Sequence, residues 1–285
     1  MENNIQITND LFENKGKLNL SVVMITFNEE HNIEKILSNL YGWAKEVIVL
    51  DSYSTDQTTE IAKKLGAKIF KKKFVSFGSQ WNYAINQLPI KYNWTMKIDP
   101  DEFITDELKN NISKIINKTN ISGIYIYRRL WFLNKPLAVK QKILRIWKTG
   151  ECYFNNVKVN EYPIVNGNKI TIKGDLHHFD SPNLEHWINK QNKYTSLESE
   201  ISFEKLILAE KPKFFGNSLQ RRMFYKKLFY FLPFRYVLFF IYNYFILGTW
   251  KNGFEGFIWS RLRSDVMRIV EYKTYELQIL SKKNK

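Results

Sequence analysis

Four short runs of apolar, often β-branched residues alternate with segments whose apolar residues recur at helical spacing. This alternation constrains the fold more than any other feature. The first run, Leu20-Ser-Val-Val-Met-Ile-Thr-Phe27, is nearly continuous, as expected of a strand buried on both faces of a parallel sheet. It ends at Asn28, Glu29, Glu30, His31 and Asn32. Ile33, Ile36, Leu37 and Leu40 then predict a helix that Asn28 or Asn32 is placed to cap. Glu46-Val-Ile-Val-Leu50 predicts a second buried strand. Thr59, Ile61, Ala62 and Leu65 predict the helix after it, which Gly66 stops. Residues 67–70 predict a third strand, 80–88 a helix and 94–98 a fourth strand. Strand–helix–strand repetition of this kind builds a right-handed, Rossmann-like parallel sheet of the α/β class.

The fourth run ends abruptly in Asp99-Pro-Asp-Glu102. Ligands of α/β sheets bind at the carboxyl ends of the strands, so an apolar strand that stops at clustered carboxylates brings charge to that edge. Asp99 and Asp101, one residue apart, suit a hard divalent cation such as Mg²⁺ or Mn²⁺, which can hold a diphosphate. An acidic helix N-terminus is the competing use of the same residues.

The chain is long enough, at 285 residues, for one large or two small domains. Its formal charge of +15 favours an anionic partner: nucleic acid, lipid head groups or phosphorylated substrates. A single cysteine, Cys152, excludes a disulfide within the chain and a thiolate zinc site, and it fits a reducing compartment. Next to Tyr153 and Phe154 it reads as a small buried hydrophobe. Residues 1–18 are polar and lack a basic then apolar signal pattern, so they read as a flexible leader.

Taken together, Val22-Val-Met-Ile-Thr-Phe-Asn-Glu29, Val47-Ile-Val-Leu-Asp-Ser-Tyr-Ser-Thr-Asp56, Gln80-Trp-Asn82 and Ile98-Asp-Pro-Asp-Glu102 closely resemble the inverting family 2 glycosyltransferases. Within that family the chain looks like the branch of lipopolysaccharide-core β-glucosyltransferases. The resemblance runs from about residue 21 to the C-terminus and weakens after Phe103. It implies a GT-A nucleotide-sugar-binding fold over residues 19–200 and a helical, aromatic and basic extension over 201–285. It also implies a UDP-sugar donor, a DXD motif and Mg²⁺ or Mn²⁺. The acceptor it implies is a saccharide, lipid-linked in cell-envelope glycan synthesis, with no nucleic acid involved.

The same resemblance assigns residues. Thr26, Phe27, Asn28 and Glu29 would line the nucleotide pocket. Asp51 would accept from ribose hydroxyls or the uracil imide, which are donors; an Asx turn or helix cap is its alternative use. Asn82 matches a motif Asn, but Trp81 stands where relatives carry a basic residue. Asp101 would be the main metal ligand, Asp99 would contact ribose or the metal's water shell, and Glu102 would support them. Arg145 falls where relatives carry a basic residue. In Val157-Lys-Val-Asn-Glu-Tyr162, relatives have a His-Glu pair where this chain has Asn160-Glu161, and Glu161 would be the base that deprotonates the acceptor. A strand-edge ion pair is the alternative for Glu161. The family places a His near His178, which would reach the metal or the donor phosphates. His177, His178 and Asp180 do not by themselves form a zinc spacing.

Residues 123–132 predict an aromatic strand carrying Arg128 and Arg129, and 183–200 a long helix carrying Lys190 and Lys193. Cations and aromatics interleave over 205–227, and an apolar stretch follows to Trp250, broken by Pro233, Arg235 and Asn243. Its uninterrupted part is shorter than the ~20 residues needed to cross a bilayer. Cations beside aromatics suit a segment lying on anionic lipid at the inner face of the cytoplasmic membrane; a core-packed helix pair is the alternative. Residues 261–280 predict a closing amphipathic helix. Two other functions compete: a nucleotidyltransferase, which would need a phosphate-binding loop that does not follow the first strand, and a basic binding module without catalysis.

Overall fold

The computed structural model describes residues 11–116, 120–155, 161–180, 182–203, 211–216, 218–229 and 232–283. By its contacts the chain forms two units, Met1–Arg129 with Lys140–Phe179, and Leu130–Val139 with Asp180–Lys285. The second unit takes in residues 130–139 and 184–200, which the resemblance places in the catalytic domain, as well as 201–285.

In chain order the first unit begins with α1 (Leu11–Lys15), β1 (Leu18–Thr26), α2 (Glu30–Leu40), β2 (Ala44–Asp51), α3 (Thr58–Lys64) and β3 (Lys68–Lys71). Next come α4 (Phe77–Gln87), β4 (Trp94–Lys97), β5 (Glu102–Ile104) and α5 (Asp106–Ile115). The strands β6 (Gly123–Phe132), β7 (Lys135–Lys148), β8 (Cys152–Phe154), β9 (Pro163–Val165) and β10 (Lys169–His178) follow; the end of β6 and the start of β7, within residues 130–139, belong to the second unit. Eight strands form one mixed sheet in the order β3-β2-β1-β4-β7-β6-β10-β5, and β8 and β9 form a separate antiparallel pair. The first four are parallel neighbours, with β2 between β3 and β1, and β4 on the other side of β1. This is the α/β sheet the sequence predicts.

The unbroken apolar runs are explained by two cores, one on each face. Leu20, Val22 and Met24 of β1 pack with Val47 and Val49 of β2 and with Ile33, Ile36, Leu37 and Leu40 of α2. The alternate residues Val23, Ile48 and Leu50 pack on the other face with Trp81, Ala84, Ile85 and Leu88. Side chains alternate along a strand, so a strand covered on both faces must be apolar throughout. Two helices start on side-chain caps: Ser76 Oγ accepts from Ser79 N in α4, and Thr105 accepts from Leu108 N in α5. Because Ser76 supplies that cap, α4 begins three residues earlier than the apolar spacing alone predicts. The expected cap of α2 is not made: Glu29 stands at its N-cap without a side-chain bond, Asn28 Oδ1 is taken by Thr55 N, and Asn32 lies inside the helix.

The second unit contains α6 (Leu184–Phe203), α7 (Ser218–Phe229), α8 (Arg235–Ile241), a π-helical turn (Tyr242–Ile246), a 3₁₀ turn (Thr249–Asn252) and α9 (Gly253–Lys283). Its core joins Phe132, Leu137 and Val139 to Trp187, Trp259 and Val266. The final helix is longer than 261–280, because its glycines do not break it. A Cβ at Gly256 would lie 1.9 Å from the carbonyl oxygen of Thr249, so glycine here permits a close backbone approach. The apolar stretch before it is not one helix: Phe234, at φ 51°, opens α8, and the π and 3₁₀ turns end it. No helix among the described residues is long and apolar enough to cross a membrane.

Candidate active site

The carboxyl ends of β1, β2 and β4 present Thr26, Asp51 and Lys97, and the loops that follow carry most of the residues singled out from sequence. At the first two ends the loops interlock. Asn28, at φ 56°, accepts from Thr55 N at 2.9 Å through Oδ1, and its own N donates to Ser54 Oγ at 2.9 Å. Glu29 N donates to Thr58 Oγ1 at 2.7 Å, and Asn32 Nδ2 donates to the Glu29 carboxylate at 2.8 Å. Asp51 is fully buried. It accepts from Thr26 Oγ1 at 2.9 Å, Ser54 N at 2.8 Å and Ser54 Oγ at 2.5 Å, which is the Asx-type turn named above as its alternative use. Asp56 accepts from Thr58 and Glu30 N; these hydrogen bonds outweigh its partial burial and hold its carboxyl below the usual range. Two aromatic rings remain open at these ends, Phe27 at 58% exposure and Tyr53 at 55%.

Asn82 faces elsewhere. Its Nδ2 donates to Phe154 O and its Oδ1 accepts from Phe154 N, both at 2.8 Å, so its amide holds β8 to α4. Trp81 lies in the core, stacked on Phe154 at 5.6 Å between ring centroids. The aromatic residue at position 81 therefore serves the core.

The acidic stretch forms a tight turn after β4. Asp99 N donates to the Glu102 carboxylate at 2.9 Å, and Glu102 N donates to Asp99 O at 3.0 Å. The antiparallel register Thr95↔Trp147, Met96↔Ile146 sets Arg145 of β7 beside Lys97 at the same edge. Arg145, 4% exposed, places Nη2 at 2.8 Å from Asp99 Oδ2 and 2.5 Å from Glu102 Oε1. Arg128 Nη1 is 3.5 Å from Glu102 Oε1. Burial alone would raise the Asp99 carboxyl, but the cations of Arg145 and Lys97 outweigh it and hold Asp99 well below the usual carboxylate range. For Glu102 burial wins, and its carboxyl is pushed up. Arg145 is burdened by burial, yet its two carboxylates raise its pKa further. Arg129 pairs instead with Asp175 at 2.7 Å.

Two sequence candidates meet at Asp101. The strand β5 runs antiparallel to β10, with His178 opposite Glu102, and Phe179 N donates to Asp101 O at 2.8 Å. That register brings His178 Nε2 to 3.2 Å from Asp101 Oδ2, with side-chain exposures of 13% and 16%. The structure thus brings Asp101 and His178 together and sets Asp99 against Arg145.

Glu161 lies beside the same edge. Its Oε1 is 3.0 Å from Lys97 Nζ, which is also 4.0 Å from Asp99 Oδ1. The ammonium sits 4.3 Å above the Trp81 ring and 5.5 Å above that of Phe154, so it is buried on aromatic faces between two carboxylates. Residues 157–160, including Asn160, lie outside the described residues. Sequence reasoning missed Lys97. Its signal was present: a lysine interrupting an apolar strand two residues before the acidic pair. Such a cation is buried only if paired.

A family model described as Glycosyl transferase family 2 matches residues 21–165, just over half of the chain. The chain belongs to glycosyl transferase family 2. This glycosyltransferase is 28% identical over 255 residues to an uncharacterized glycosyltransferase of Rickettsia typhi, covering 84% of this chain and 80% of that one. It is 27% identical over 254 residues to the lipopolysaccharide core biosynthesis glycosyltransferase LpsC of Rhizobium meliloti, covering 85% and 86% of the two. Among solved structures, S. aureus TarS 1-349 in complex with UDP-GlcNAc matches with a TM-score of 0.44 and 18% identity, over 66% of each chain. Glucosyl-3-phosphoglycerate synthase from Mycobacterium tuberculosis, in complex with Mn²⁺, UDP and glucosyl-3-phosphoglycerate, matches with a TM-score of 0.32 and 23% identity, over 39% of this chain and 44% of that one.

Proposed function

We propose that this glycosyltransferase moves a hexose, glucose being the first choice, from a UDP-sugar to a lipid-linked saccharide of the cell envelope, with inversion at the anomeric carbon. The observation that carries the reading is the division of labour at one sheet edge. Asp101 with His178, and Glu161 with Lys97, are two separate sites on the same unit. The likeness to LpsC over most of both chains supports lipopolysaccharide core synthesis as the setting.

The donor set fits a divalent cation. A carboxylate oxygen and an imidazole nitrogen 3.2 Å apart, both partly buried, suit Mn²⁺, and the carboxylate alone suits Mg²⁺. When bound, such a cation would absorb the charge that develops on the leaving nucleoside diphosphate. The chain's own residues do the rest. Phe27 and Tyr53 offer faces for the base, and the interlocked loops of Asn28 and Ser54 hold them. Arg145, Arg128 and Lys97 together offset the charge of Asp99 and Glu102, which lets three carboxylates sit in one short turn. Glu161 takes the proton from the acceptor hydroxyl as its oxygen bonds to the anomeric carbon and the bond to the donor phosphate breaks. Lys97 orients Glu161. With no helix of the described residues able to span a bilayer, peripheral attachment at the inner face of the cytoplasmic membrane is the arrangement we favour.

The test is a screen of nucleotide-sugars for nucleoside-diphosphate release with Mg²⁺ or Mn²⁺, followed by linkage analysis of the product. Asp101→Ala and Glu161→Gln should each lower turnover by at least about 10²-fold. Undiminished transfer by either variant would refute the mechanism.

A further inference from the structure

The second unit contains a helix that is apolar nearly all round and leaves one apolar face open to solvent. Along α8 and the π turn that continues it, Val237, Leu238, Ile241, Tyr242, Phe245 and Ile246 recur at helical spacing, and all are exposed, Ile246 at 72%. The inner side carries half-buried Phe240 and Tyr244, which pack on Phe257, and one buried polar residue. Asn243, 2% exposed, donates from Nδ2 to Phe239 O at 2.7 Å, and the buried Thr249 hydroxyl meets Ser260 Oγ at 2.6 Å. Phe234 and Phe254 prolong the open apolar face, at 81% and 72% exposure. A contiguous patch of this kind marks an interaction site, whereas scattered apolar residues do not.

Charge identifies what covers it. From residue 211 to residue 254 the sequence contains eight Lys or Arg and no Asp or Glu. Lys211, Lys213 and Arg221 are exposed, and Lys251 Nζ lies 5.5 Å from the ring centroid of Trp250, where the stripe ends. A protein groove could accept the apolar stripe without requiring that every acid be missing from the segment around it. An anionic lipid surface demands both features: apolar side chains enter the acyl boundary while Lys and Arg meet the head groups. Tyr242 and Trp250 are the residue types that settle at that boundary.

We infer that the outward face of α8 and its π turn is a docking surface for an anionic lipid bilayer, lying in its interface. The inference deepens the function proposed above by naming the surface that meets the acceptor's membrane, and it rests on that reading for the acceptor's location.

The experiment sediments the full-length protein with vesicles of phosphatidylcholine plus phosphatidylglycerol, and with vesicles of phosphatidylcholine alone. The unmodified protein should bind the anionic vesicles, more weakly as salt rises, and should bind the neutral ones poorly. Phe245→Glu with Ile246→Glu, both on the exposed face, should weaken partition by at least about tenfold. An unchanged melting temperature establishes that this variant is folded, and Phe254→Ser is a milder second variant. The inference is overturned by no binding to anionic vesicles, by undiminished binding of both variants, or by a concentration-dependent dimer that the double variant dissolves while lipid is ignored. Donor turnover on a soluble glycoside, measured on the same samples, separates the two readings: turnover without vesicle binding sinks only the docking surface, and vesicle binding without turnover sinks only the transferase reading.

Discussion

Replacing Arg145 with methionine should be among the most damaging single changes in the first unit. Methionine keeps much of the aliphatic stem and removes the charge. The guanidinium lies 2.8 Å from one carboxylate and 2.5 Å from another, and the residue is 4% exposed. At an effective dielectric of about 20, each ion pair at roughly 4 Å between charges contributes about 4 kcal/mol of attraction. Desolvation of the ions offsets most of that gross sum. Deleting Arg145 is different, because the buried Glu102 is left with Arg128 at 3.5 Å, and Asp99, its side chain 28% exposed, with Lys97 at 4.0 Å, which places the loss at the low end of the range for a buried pair. Loss of a buried partner costs about 3–5 kcal/mol. Glu102 already has a raised pKa and would take up a proton first, so the penalty should shrink as the pH falls towards the carboxylate range. The assay is urea denaturation of the native and Arg145→Met proteins across pH, with Glu102→Gln and the double variant completing a cycle. The double variant should lose less stability than the two single losses added together. A loss under about 1 kcal/mol, or one that does not change with pH, would show that the cluster is solvated and that the argument fails.

Lys97→Met should lower kcat far more than it raises the donor KM, because Lys97 acts through Glu161; steady-state kinetics showing the opposite split would make it a donor contact instead. Asp175→Asn should destabilise the protein at neutral pH, since Arg129 at 2.7 Å and Lys140 at 2.8 Å overcome burial and depress the Asp175 carboxyl. A depressed carboxyl stabilises above its unfolded value of about 3.9, so the gap between the two melting curves should close as the pH falls below it. Burial pushes the Cys152 thiol up to about 12, so a thiol reagent at neutral pH should leave the native protein unmodified; stoichiometric labelling before unfolding would contradict the buried site. Gly256→Ala should destabilise the second unit, because the added methyl would meet the Thr249 carbonyl, and thermal melting reads the loss directly.

Much of the first unit was legible in sequence because its strands are covered on both faces. A run such as Val47-Ile-Val-Leu50 leaves few alternatives once helical spacing follows it, and the acids Asp99, Asp101 and Glu102 follow the end of β4 as the sequence predicts. The candidate site was less legible. Asp51 and Asn82 were singled out for donor contacts, and both have their polar atoms engaged within the chain, by Thr26 and Ser54 and by the Phe154 backbone. Their partners lie as many as 72 residues away in the chain, and local pattern carries no information about such pairing.

By itself, the sequence determined the α/β class, the family and the identity of the acids, since these depend on periodicity and on residues near one another in the chain. Tertiary structure alone decided which acid meets which cation. Register between β4 and β7 put Arg145 on Asp99, and register between β5 and β10 put His178 on Asp101. Tertiary structure also decided which apolar residues of α8 and its π turn are covered, packing Phe240 and Tyr244 on Phe257 and leaving Val237, Leu238, Ile241, Phe245 and Ile246 exposed. Hydrogen-bond registers and the choice of buried face are set by long-range packing, and no window of sequence contains them.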